Sequence, residues 1–130
     1  MNKVICLLLL SPVIANAEGV ETWSCQGTAA GGLHWQEGQW KSSEFATRTY
    51  RIELQDLQAS ISENNDPALF VMDCEANTWS WSCANDAAAL EFNKESKTAI
   101  LIRFFGAIFP KNDSEQKDSI YMETLNCTKF

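Results

Sequence analysis

From Arg48 the chain alternates strictly, with Tyr50, Ile52 and Leu54 on one parity and Thr49, Arg51 and Glu53 on the other. A period of two residues marks a β-strand with one face in a core and one in water. Ala68 to Cys74 repeats the pattern: Phe70, Met72 and Cys74 share a face, and Asp66-Pro67 supplies the entry turn. Leu90-Glu91-Phe92, the polar turn Asn93 to Lys97 and the apolar run Thr98 to Phe109 predict a β-hairpin. That last run is apolar at both parities, which predicts a strand buried on both faces or a barrel wall whose outside is covered. Gly106, Pro110 and the β-branched and aromatic content argue against a helix there. Ser119 to Leu125 supplies a final strand ending at Cys127.

Two segments lose the alternation. Across Gln55 to Ile61, the positions Leu54, Leu57 and Ile61 fit a short helical face. Asn85-Asp86 fits the cap of a helical turn through Ala87-Ala88-Ala89, because a side-chain oxygen there can accept from free amides. Turn signals recur at Gly31-Gly32, Asn64 to Pro67, Asn93 to Lys97 and Pro110 to Asp118. Their intervals suit a mainly β fold, an antiparallel meander of about six to eight short strands, as a small closed barrel or a strongly bent sheet.

The beginning of the chain has a different pattern. Lys3 is followed by the uncharged apolar run Val4 to Leu10, a break at Ser11-Pro12, and the small residues of Ala15-Asn16-Ala17. This is the three-part form of a secretion signal, so residues 1–17 are expected to be cleaved, leaving 18–130 as a single β domain. The run is too short to span a bilayer, which takes roughly 20 apolar residues. The expected address is periplasmic or secreted.

Cleavage changes the cysteine arithmetic by removing Cys6. Cys25, Cys74, Cys83 and Cys127 remain, an even set in an exported small domain, which predicts two disulfides. Of the three connectivities open to them, a local Cys74–Cys83 bridge and a Cys25–Cys127 clasp joining the two ends are favoured; spacing alone leaves the others open. No cysteine pair has zinc-site spacing, and His34 lies near none of them. The acidic loop Asn112 to Asp118 lacks the alternating ligands, central Gly and closing Glu of a calcium loop. No metal or cofactor is expected.

The 130-residue chain carries a formal net charge of −7. Its Lys and Arg are scattered, which disfavours nucleic acid and anionic membrane surfaces as partners, and a basic protein would be steered toward it. Catalysis has little to draw on. There is no nucleophile-elbow motif, His34 reads as the polar tip of a turn, and the thiols are spent on disulfides. The carboxylates of Glu53 with Asp56, and of Asp113 with Glu115 and Asp118, read as solvated surface. No catalytic residue is assigned, and the chain reads as a protein without enzymatic activity.

Tryptophan is the unusual component. Trp79 and Trp81 are two apart and on a strand would share a face with Cys83, while Trp35 and Trp40 flank a turn at Glu37-Gly38. Trp23 completes the set. Rings at this density serve as core filling or as the floor of an apolar or sugar-binding cleft. The candidate ligand-binding residues are therefore Trp35, Trp40, Trp79 and Trp81.

Taken with Trp23-Ser24-Cys25, Trp35-x-x-Gly38-x-Trp40, Leu90-Glu91-Phe92-Asn93, Phe104-Phe105-Gly106 and Ser119-Ile120 to Asn126-Cys127, the chain resembles small uncharacterised secreted proteins of Gram-negative bacteria. That resemblance implies a periplasmic or secreted address and no chemistry. In size, acidity, export and β content the chain is also similar to the periplasmic lysozyme inhibitors. It departs from their Ser-Gly-x-x-Tyr loop, since Ser119-Ile120-Tyr121 has neither the Gly nor the spacing. The lead expectation is an exported binding protein for a small apolar, aromatic or sugar ligand. The rival is an acidic inhibitor or partner of a basic protein such as a lysozyme-like enzyme.

Overall fold

A computed structural model describes residues 19–63, 67–104 and 119–130. The leader, Asn64 to Asp66, the run 105–109 and the acidic loop with Asp113, Glu115 and Asp118 lie outside the described residues. The strands are β1 (Glu21–Gln36), β2 (Gln39–Glu44), β3 (Thr49–Gln55), β4 (Gln58–Glu63), β5 (Phe70–Ala76), β6 (Ser80–Ala84), β7 (Ala88–Asn93), β8 (Thr98–Arg103) and β9 (Ile120–Lys129). All neighbours pair antiparallel in the order β2-β1-β3-β4-β5-β6-β7-β8-β9, and β9 pairs back onto β1. The sheet is thus a closed barrel of eight strands, with β2 as an extension.

β1 makes the closure. At 16 residues it is long enough to serve three partners: its first part pairs β3, its last part pairs β2, and its other edge carries β9. The change of partner coincides with a β-bulge between Gly27 and Ala29. One extra residue bends a strand and increases its twist, which lets β1 leave the cylinder as β3 separates from it. Thr28, the residue at the bulge, bonds the Thr124 hydroxyl at 2.7 Å.

The alternation seen in the sequence becomes the inside and outside of the barrel. Tyr50, Ile52 and Leu54 point inward with Met72, Cys74, Leu90, Phe92, Leu101 and Leu125. Both disulfides lie among them, Cys25–Cys127 across β1 and β9 and Cys74–Cys83 across β5 and β6. The Thr98 run resolves by parity up to Arg103: Ala99 and Leu101 are buried, but Ile100 is 41% exposed. A strand buried on both faces is therefore overturned for this part of the run.

The helical expectations are also overturned, each for a local reason. Asp56 and Leu57 form a two-residue hairpin turn between β3 and β4, both with positive φ (51° and 57°). That geometry matches the twist of the flanking strands and ordinarily calls for Asn-Gly. Leu57 is held there by the Cys74 N–H, which donates to its carbonyl at 2.8 Å. Its side chain is 54% exposed, so little packing is at stake. Leu57→Gly is expected to raise unfolding free energy by roughly 0.5–1 kcal/mol, because glycine relieves the left-handed strain. Urea denaturation checks this, and an unchanged or lower midpoint would refute it.

At Asn85 the side chain caps as expected, but no helix begins. Its Oδ1 accepts from the Ala87 and Ala88 amides, and the chain continues into β7. Asn77 does the same for Trp79 and Ser80, and Asn93 for Glu95 and Ser96. One side-chain device closes three successive hairpins. Gly31-Gly32, expected as a turn, instead lies inside β1, where a Cβ on Gly32 would stand 2.0 Å from the Ile120 carbonyl oxygen. Glycine here allows two backbones to approach closely.

Candidate ligand-binding site

The two ends of the barrel differ. At the end where β1 begins, rings close the interior: Trp23 meets Phe92 edge to face at 5.0 Å, and Trp81 packs against the same core. Lys94 lies 5.6 Å from the Trp81 ring and pairs with Glu21 at 3.2 Å, so the plug is capped by a partly buried ion pair. Trp79 sits in the turn before β6 and is 55% exposed, so Trp81 shares the Cys83 face and Trp79 stands outside the strand.

Trp35 and Trp40 lie at the other end. They are direct partners on the β1–β2 hairpin, 5.2 Å apart edge to face, on the stretch of β1 that runs past the last β9 pair, Leu33 with Ile120. The four candidate tryptophans therefore divide into pairs at opposite ends and do not line one cleft. Composition suggested a cluster, but barrel closure sets the positions by strand and parity.

Among the described residues, the end where β9 begins holds a recess of about 730 Å³. Its walls come from five places in the chain: the β2–β3 link, the start of β5, the β6–β7 turn, the end of β8 and the start of β9. Phe45, Phe70 and Tyr121 supply rings, Leu69 and Val71 aliphatic surface, and Arg48 and Arg103 positive charge. Tyr121 and Phe45 meet at 5.4 Å. The Arg103 guanidinium lies close to two rings, 5.1 Å from Phe70 and 5.8 Å from Tyr121. Such contacts hold a cation by the negative face of the ring and leave its N–H groups for another partner. Arg48 is tied at 3.0 Å to Glu63. None of the tryptophans lines this recess.

Beneath Tyr121 is a buried acid. Glu123 is 0% exposed and points inward between Tyr121 and Leu125. Its Oε1 accepts from the Arg48 amide at 2.6 Å, and its Oε2 from the Tyr50 hydroxyl at 2.7 Å and the Tyr121 hydroxyl at 2.5 Å. Burial, then the bond to Glu123, raises the Tyr50 hydroxyl well above the usual phenol range and pushes Tyr121 up to about 12. Both hydroxyls stay protonated at neutral pH and act as donors. Room for the carboxylate comes from Gly27, where a Cβ would stand 1.8 Å from Oε1. Glu123 thus supplies acceptors where the β1–β3 ladder ends, and its oxygens are occupied by structure.

The other residues with candidate chemistry are dispersed. His34 lies on β1 opposite Lys41, Glu53 pairs with Arg51 at 2.9 Å, and Asp56 is in the β3–β4 turn. Among the described residues no group of three or more His, Cys, Asp or Glu is arranged to hold a metal ion. No helix there is long and apolar enough to cross a membrane. The recess residues escape a reading of the sequence because they are remote from one another along the chain. The signal that could have found them is parity: Arg103 continues the inward series Ala99, Leu101, and Glu123 interrupts the series Tyr121, Leu125.

Comparison with protein-family models, curated proteins and solved structures finds no match for the chain.

Proposed function

We propose that this is an exported binding protein that takes a small ligand with an apolar or aromatic body into the recess at the end of its barrel where β9 begins, without a chemical step. The observation that carries the reading is the recess itself: about 730 Å³, walled by Phe45, Phe70, Tyr121, Leu69 and Val71 at one end of a barrel whose other end is filled. Pockets of several hundred Å³ with mostly apolar walls and a few placed polar groups are the usual form of small-molecule sites. Two disulfides within the core fit an oxidising compartment, which supports a periplasmic or secreted address.

The tryptophans lie outside the recess, so the test uses a ligand that reports on itself. Titration with the neutral dye phenylnaphthylamine is expected to give saturable enhancement of dye fluorescence at one site per chain. Phe45→Ala, which removes one wall, is expected to weaken binding by about fivefold. Trp35→Ala and Trp79→Ala are expected to leave it unchanged. Absence of saturable binding, or loss of binding in the tryptophan variants with Phe45→Ala unaffected, would refute the site.

A further inference from the structure

Among the described residues, the proposed recess brings two arginines, Arg48 and Arg103, to an apolar opening. Arg103 ends β8 on the inward parity, where the preceding inward residues Ala99 and Leu101 are buried and apolar. Among the described residues no carboxylate pairs with it; its neighbours are the rings of Phe70 and Tyr121. Arg48, across the opening and 5.9 Å from the same Tyr121 ring, already has Glu63 as its partner. Among the described residues the two arginines therefore differ: Arg48 has a carboxylate partner and Arg103 has none.

Given the binding reading above, we infer that the ligand is an amphipathic anion whose carboxylate or sulfonate group is held by the Arg103 guanidinium at the mouth, while its apolar or aromatic body lies against Phe45, Phe70 and Tyr121. A planar guanidinium presents paired N–H groups that match two oxygens of such a head group, and contact with two rings restricts where it can sit. The chain's net charge of −7 disfavours anions at long range. At physiological salt that repulsion is screened beyond about 8 Å, so the local arginine decides.

The test compares two dyes with the same ring system, anilinonaphthalene sulfonate and neutral phenylnaphthylamine. The wild-type chain is expected to bind the sulfonate at least about tenfold more tightly. Arg103→Gln is expected to remove that preference, and Arg103→Lys to restore only part of it, since an ammonium keeps the charge and loses the fork. Arg51→Gln, the same loss of charge on the outer face beside Glu53, controls for net charge and should leave the preference intact. Thermal melts of each variant identify any that fail to fold, and Arg103→Lys then carries the comparison. Equal affinity for both dyes in the wild-type chain, or a preference that survives Arg103→Gln, would overturn the anion assignment and leave the binding site standing. Failure of both dyes to bind would remove the site itself, and the assignment with it.

Discussion

Gly27→Ala is expected to destabilise the barrel by about 3–5 kcal/mol, although it adds a single methyl group. The added Cβ would stand 1.8 Å from Glu123 Oε1 and 2.9 Å from the Thr47 Cβ, so the carboxylate must move. Moving it strips acceptors from the Arg48 amide and from the Tyr50 and Tyr121 hydroxyls. A buried donor left without a partner costs roughly 1–3 kcal/mol, and overpacking adds a similar amount. Since a domain of this kind has only about 5–15 kcal/mol in total, the loss would show as a large fall in the urea midpoint. Glu123→Ala should cost about as much by itself. The two are in contact, so the double variant is expected to lose clearly less than the sum, because with the carboxylate gone the methyl has somewhere to go. Strict additivity, or a neutral Gly27→Ala, would show that the bulge and the acid are independent.

The second large effect separates the two disulfides. In the chain-entropy picture a cross-link stabilises by restricting the unfolded chain, and more so for a longer loop. Cys25 and Cys127 are 102 residues apart, whereas Cys74 and Cys83 are 9 apart. Replacing Cys25 and Cys127 together by Ala is expected to cost about 4–5 kcal/mol, and the same change at Cys74 and Cys83 about 2–3 kcal/mol. The first pair also holds β1 to β9, where the barrel closes; the second staples a hairpin that already has Asn77 at its turn. Melting of the two double variants under matched conditions decides it. If the local pair proves equal or more important, the seam is held by its strand pairing and the long loop closure adds little.

How far the sequence could be read depended on how regular each strand is. β3 and β5 keep one residue in and one out, so the shared faces Tyr50-Ile52-Leu54 and Phe70-Met72-Cys74 could be read directly. Both disulfide pairings agree with that regularity, since each joins residues directly opposite on neighbouring strands. β1 resisted because the bulge after Gly27 resets its parity, and because its glycines serve close approach, a role that composition presents as a turn. Leu57 misled through spacing: a large side chain at positive φ is uncommon, and the three-and-seven spacing of Leu54, Leu57 and Ile61 looks helical. The site was hidden for a different reason. Phe70, Arg103 and Tyr121 lie on three different strands and meet only once β9 pairs with both β8 and β1. Tryptophan content drew attention to residues that the closed barrel sends to opposite ends.

Among the described strands, closure at β1 also determines which edge is left for pairing with another backbone. Each of the eight barrel strands has a neighbour on both sides, and β2, with β1 on one side, is the terminal strand of the sheet among the described residues. Unpaired strand edges are templates for aggregation, and proteins blunt them by keeping them short and charged. β2 is 6 residues long, carries Lys41 and Glu44, and has the Lys41–Glu37 ion pair beside its turn. Among the described residues, the device that seals the cylinder thus also confines the risk of intermolecular strand addition to one short, charged segment.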